Sequence, residues 1–171
     1  MPIAGASLVL EPLQARHAGE LFPLLSDPEL YAHFEHEPPG SEAQLAERYK
    51  RWEARRSPDG TQLWLNWLVR SSAAEPLGYV QATVLVGMGR AWIAYVIGRR
   101  HQGIGVGRNA VALMCEHLRS EYGIRGFMAC VEASNTRSIR LLEALGLALA
   151  TPEERAAHRL SPSEKLYVRN S

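Results

Sequence analysis

The sequence predicts an α+β fold built on one mixed, mostly antiparallel sheet flanked by helices. Three observations carry this. The segments 63–70, 77–86 and 91–97 follow one another closely, are rich in Val, Leu, Trp and Tyr, and are separated by turn sequences. A glycine-rich loop at 98–107 then runs into a helix-period stretch. Finally, the order of strand, two helices, three strands, helix, strand, helix, strand is not a repeating βαβ wheel.

Residues 7–13 (SLVLEPL) read as a short edge strand stopped by Pro12. Ala18, Leu21, Phe22, Leu24 and Leu25 recur at helical spacing, and Asp27-Pro28 ends that helix. Residues 29–34 are expected to form one further turn, and Pro38-Pro39-Gly40 a loop. Ser41 and Gln44 have capping-box spacing, so a helix is expected to about Arg56, with Leu45, Tyr49 and Trp52 on one face. Gly87-Met88-Gly89-Arg90 joins two strands as a hairpin. Val106, Ala110, Leu113, Met114 and Leu118 mark the next helix, closed by Gly123. Residues 127–131 are expected to be a buried strand and 135–145 a helix stopped by Gly146. Thr151-Pro152 begins a capped turn, and 165–169 are expected to be a last strand.

A chain of 171 residues is long enough for one self-sufficient core, and residues 1–171 read as a single domain. Lys and Arg number 19 against 18 Asp and Glu, a balance that gives no electrostatic reason to expect nucleic acid or an anionic membrane as partner. The only two cysteines, Cys115 and Cys130, exclude a disulfide scaffold and a four-cysteine zinc site. Both lie in apolar runs and are expected to be buried free thiols. No stretch reaches the length of a membrane span and no signal peptide is evident, so a cytoplasmic location is expected.

The chemistry lies in Gln102-Gly103-Ile104-Gly105-Val106-Gly107. Small residues at a helix start let successive backbone N–H groups point into one concavity, and with the helix dipole they form a phosphate site. Arg99, Arg100 and Arg108 flank it. It is not a Walker loop, because no Gly-Lys-Ser/Thr follows. Gly105-x-Gly107-x-x-Ala110, with Glu132 downstream, also matches a dinucleotide fingerprint. Against that reading, the preceding strand belongs to a hairpin, the turn is not tight, and too little chain follows for further crossovers.

With Gln102-x-x-Gly105-x-Gly107, and the helix Asn135-Thr136-Arg137-Ser138 to Leu145-Gly146-Leu147 at the expected distance, the sequence resembles the GNAT superfamily of acetyl-CoA-dependent N-acetyltransferases. Leu8 to Leu13 and Ser26-Asp27-Pro28-Glu29 resemble its ribosomal-protein N-terminal acetyltransferase branch, so the resemblance covers nearly the whole chain. It implies a sheet splayed at the coenzyme cleft. Backbone N–H groups of Gly103, Ile104, Gly105, Val106, Gly107 and Arg108 would hold the pyrophosphate, with Gln102 at the loop entrance. The strand ending at Val96 and Ile97 would pair with the pantetheine arm, and Asn135 would bond it.

The implied reaction moves an acetyl group directly to a primary amine of a protein N-terminus, an amino sugar or a small metabolite. A non-catalytic acyl-CoA-binding sensor is the alternative. A backbone N–H near Val96 is the expected oxyanion donor. The family's tyrosine acid on the second helix is replaced by Leu142, and the branch's strand carboxylate is missing from Ala91-Trp92-Ile93-Ala94-Tyr95. Glu132 is then the candidate base, Ser138 lies near the thiol or caps its helix, and His33, Glu35, His36 and Glu37 border the acceptor side. No metal is expected, and a homodimer is compatible with the sequence.

Overall fold

The computed structural model describes residues 1–33 and 37–170. Among them, one sheet contains β1 (Ile3–Ala4), β2 (Leu8–Pro12), β3 (Gln62–Ser71), β4 (Pro76–Leu85), β5 (Arg90–Ile97), β6 (Gly126–Glu132), β7 (Ala148–Leu149) and β8 (Glu164–Arg169), in the order β1-β2-β3-β4-β5-β6-β8-β7. The helices are α1 (Ala18–Leu25), α2 (Glu42–Trp52), α3 (Val106–Tyr122), α4 (Thr136–Ala144) and α5 (Pro152–Ala156). The β5–β6 pair is parallel and the others are antiparallel.

Local sequence sets most boundaries. The Ser41 side chain accepts from Gln44 N–H at the start of α2, Thr151 and Glu154 form a reciprocal cap on α5, and Gly123 closes α3 at φ +64°. Two short strands, β1 and β7, go beyond the sequence reading, and β1 turns β2 from an edge strand into an inner one. Two-residue strands carry no usable period. α2 stops at Trp52 rather than Arg56, and Arg55 takes φ +56° just beyond it.

Alternation along the strands gives the sheet two packed faces. Leu65, Trp67, Val80, Ile93, Phe127 and Ala129 pack with Ala110, Met114 and Leu118 of α3 and Leu142 of α4. On the other face Leu68 and Tyr79 pack with Leu21 and Leu25 of α1 and Leu45 and Tyr49 of α2. The same alternation corrects the reading of the thiols. Cys115 is buried, and burial pushes its thiol up to about 12. Cys130 is exposed, because Ala129 and Val131 on either side of it take the core positions. No helix among the described residues is long and apolar enough to cross a membrane.

The feature that positions the site is a divergence of β5 from β6. Their parallel pairing runs only over Arg90–Trp92 against Gly126–Met128, while β6 stays paired to β8 as far as Glu132. From Ile93 onward the edge of β5 facing β6 has no strand partner among the described residues.

Candidate active site

A cleft of about 590 Å³ opens where the two strands diverge, between the end of β5, the 102–108 turn, the start of α4 and the Glu29–His33 segment. Backbone alternation fixes which groups of β5 face it. Gly98 N–H donates to Leu77 O at 2.9 Å, so the even-numbered residues of β5 direct their backbone to β4, and Val96 pairs there with Tyr79. The N–H and C=O groups of Tyr95 and Ile97 face the gap. Val96 does line the cleft, but an amide donor there comes from Tyr95 or Ile97.

The glycines of the turn serve two purposes. Gly103 and Gly105 have φ of +80° and +89°. A Cβ on Gly103 would meet nothing within 4 Å, and one on Gly105 only Asn109 Nδ2 at 4.0 Å, so both leave open space beside their backbone. Gly105 is the N-cap of α3, whose 17 residues direct the positive end of their dipole at the turn. Gly107 is helical, and a Cβ on it would lie 3.1 Å from Leu141 Cδ1 and 3.5 Å from Ile97 Cγ1. Its small size therefore serves the packing of α3 against α4 and β5. Ile104 is 73% exposed and Val106 half-buried, and neither is among the residues that line the cleft.

Of the flanking arginines, Arg99 is paired to Glu29 and to Asp27, and Arg100 to Glu75. Arg108 lines the cleft and has no ion pair among the described residues. Gln102 acts as a latch: its Nε2 donates to Ile97 O at 2.8 Å and its Oε1 accepts from Arg137. It thus fastens the end of β5 to α4. A chain of backbone N–H groups, a helix N-terminus and an unpaired cation in one cleft fit a pyrophosphate, and the free edge of β5 fits an amide-bearing arm.

Asn135 caps α4, its Oδ1 accepting from Ser138 N–H at 3.1 Å, and also lines the cleft. Ser138 Oγ accepts from Tyr95 Oη at 2.9 Å across the gap. Burial pushes the Tyr95 phenol above its ordinary value and the Ser138 bond draws it part of the way back, so it remains a donor at neutral pH. In the sequence Tyr95 reads as a strand residue, and the parity that aims its side chain at α4 is the signal of its place in the site. His33 lines the cleft, with Nδ1 3.1 Å from Ser134 Oγ. Glu132 ends β6 outside the cleft lining and accepts from Ser163 Oγ at 2.9 Å. Glu35 and His36 lie outside the described residues, and among those described no cluster suits a metal.

The comparisons with known proteins agree with this geometry. The chain has the fold of the RimL ribosomal L7/L12 α-N-protein acetyltransferase in complex with coenzyme A (TM-score 0.82, 16% identity, 99% of this chain and 98% of that one). It also shares the fold of the ribosomal-protein-S5-alanine acetyltransferase from Vibrio fischeri (TM-score 0.76, 13% identity, 99% and 96%). A third likeness is to spermidine N-acetyltransferase from Vibrio cholerae, bound to coenzyme A and spermine (TM-score 0.74, 17% identity, 96% and 94%). No curated protein matches the chain in sequence. The family model described as an acetyltransferase (GNAT) domain matches residues 7–148, and the chain belongs to that family.

Proposed function

We propose that the protein transfers the acetyl group of acetyl-CoA to a primary amine within a ternary complex. The observation that carries this reading is the meeting, in one cleft, of a free strand edge on β5 and an anion-holding turn at the start of α3. The turn residues 103–108 and Arg108 hold the pyrophosphate, and Tyr95 and Ile97 offer backbone groups to the pantetheine arm beside Asn135. Bound there, the thioester supplies an activated acyl carbon.

The chain's own groups then handle charge and protons. The N–H of Tyr95 or Ile97 donates to the carbonyl oxygen as negative charge builds on it. Because Tyr95 donates to Ser138 Oγ, the Ser138 hydroxyl proton is free to stabilise the departing sulfur. An ammonium must lose a proton before its nitrogen can attack. We assign that proton to His33 ahead of Glu132, because His33 lines the cleft and Glu132 does not. In the tautomer whose Nδ1–H donates to Ser134 Oγ, His33 Nε2 has its lone pair free to take the proton. The Tyr95–Ser138 pair supports an enzyme over an acyl-CoA-binding sensor, which has no use for a donor at the sulfur.

Thiol release from acetyl-CoA across a panel of amines and N-terminal peptides tests this. Release with at least one amine is expected. His33→Gln should slow it about a hundredfold near neutral pH, with the loss shrinking as pH rises and free amine becomes available. Glu132→Gln should stay near wild type; the reverse pattern moves the base to Glu132. Binding of acetyl-CoA with no release to any amine would establish the sensor instead.

A further inference from the structure

Outside the coenzyme cleft, the α1/α2 face of the sheet carries a second hollow of about 150 Å³. Its floor is set by register: Asn66 pairs with Gln81 and Gln81 with Ala94, so the three sit side by side on β3, β4 and β5. Ala94, beside Gln81, is exposed although β5 lies inside the sheet, so the sheet face next to the hollow is uncovered. Two indoles, Trp52 at the end of α2 and Trp64 on β3, form the walls.

The polar groups of the floor are half spent. Gln81 Nε2 donates to Asn66 Oδ1 at 2.8 Å. The Gln81 carbonyl and the Asn66 amino group have no protein partner among the described residues. A single bond within any such amide pair leaves one acceptor and one donor, whichever way the two amides are turned. One acceptor beside one donor is the complement of a peptide group, and indole walls suit the side chain next to it. Among the described residues no carboxylate lines the hollow to hold the second cation of a polyamine.

Position links this hollow to the reaction. Gln81 lies one strand over from β5, one residue along from Tyr95 and three from Ile97, whose backbone groups face the cleft, about 6–11 Å at ordinary sheet spacings. Two residues of extended peptide span about 7 Å. We infer that Asn66 and Gln81, between Trp52 and Trp64, form an acceptor subsite that grips an amide group about two residues along from the reacting amine. The acceptor is then a peptide-like amine rather than a polyamine. The inference rests on the acetyltransferase reading and goes beyond it, in naming the residues that select the acceptor.

The test compares alaninamide, too short to reach the hollow, with trialanine amide, using wild type, Asn66→Leu and Gln81→Met after their melting temperatures confirm folding. In either variant KM for trialanine amide should rise about tenfold, with kcat and the constants for alaninamide unchanged. Spermidine should be a poorer acceptor than trialanine amide. An unchanged KM, or an equal rise for both amides, would overturn the subsite. If wild type releases thiol with no amine, the acetyltransferase reading fails by itself. The subsite is then read from tryptophan fluorescence on titration with trialanine amide: a change lost in Gln81→Met supports it, and no change in wild type overturns it.

Discussion

Gly78→Ala is the change that ties fold to site most directly. Gly78 sits in β4 opposite Ile97, beside a register shift at Val69/Arg70, with φ +152°. A Cβ there would lie 2.1 Å from Val96 O, 2.8 Å from Ile97 Cα and 3.0 Å from Val96 C, all backbone. Since Cβ atoms do not approach within 3.0 Å of such neighbours, the end of β5 must retreat by about 1 Å. That strains or breaks one or two ladder bonds, at about 0.5–1.5 kcal/mol each. Overpacking adds about 1–3 kcal/mol. A total of about 1.5–6 kcal/mol lowers the melting temperature of a chain this long by about 3–24 °C. The displaced residues are those that face the coenzyme cleft, so acetyl-CoA affinity should fall at least about tenfold as well. Differential scanning calorimetry and titration calorimetry measure the two effects. Gly87→Ala is the control: it has a similarly unusual φ of +78°, but its Cβ meets nothing within 4 Å. A Gly78→Ala protein that melts no lower than Gly87→Ala would refute the steric argument.

Two further outcomes follow from the hydrogen bonds. Ser138→Ala should lower kcat about tenfold or more with acetyl-CoA affinity nearly unchanged, and Tyr95→Phe should lower it less, because Ser138 keeps its own proton; equal rates for all three proteins in a thiol-release assay would remove both from the reaction. Stability should fall on the acid side, as hydrogen bonds from Arg70 hold the Glu11 and Glu20 carboxyls below the ordinary range and burial holds His17 below 6.5. In each case the folded chain binds fewer protons than the unfolded one. The His17 contribution is therefore present above 6.5 and lost as pH drops below it, and the carboxylate contribution is lost below about 4.5. Arg70→Met should flatten chiefly the lower limb, because burial rather than Arg70 is the main cause at His17, and a melting temperature at pH 5.5 equal to that at pH 8 would contradict the His17 assignment.

Much of this arrangement is legible in the sequence because it is local. Ser41, Thr151, Gly123 and Gly105 announce their caps and turns through chemistry confined to a few residues. The glycine-rich turn and the Asn135 helix are likewise contiguous segments. What the sequence leaves hidden depends on register and on distance along the chain. Nothing near Gly78 tells that Val96 crosses 2.1 Å from its missing Cβ. The Tyr95–Ser138 bond joins residues 43 apart, and the His33–Ser134 contact residues 101 apart. Glu132 follows a buried strand, a position that does not reveal its contact with Ser163 or its place outside the cleft lining. Cys130 misleads for the same reason, since an apolar run does not reveal which of its residues face the core.

The central claim is that the turn at 102–108 and the free edge of β5 are a coenzyme A site. Titration calorimetry of acetyl-CoA, and of NAD, into the wild-type protein and into Gly105→Glu tests it most directly. Gly105 has open space beside its backbone, so a glutamate there puts bulk and negative charge at the proposed phosphate position. The account predicts saturable binding of acetyl-CoA by wild type, no binding of NAD, and loss of acetyl-CoA binding in Gly105→Glu. Binding of NAD but not acetyl-CoA, or equal acetyl-CoA affinity in the two proteins, would contradict it.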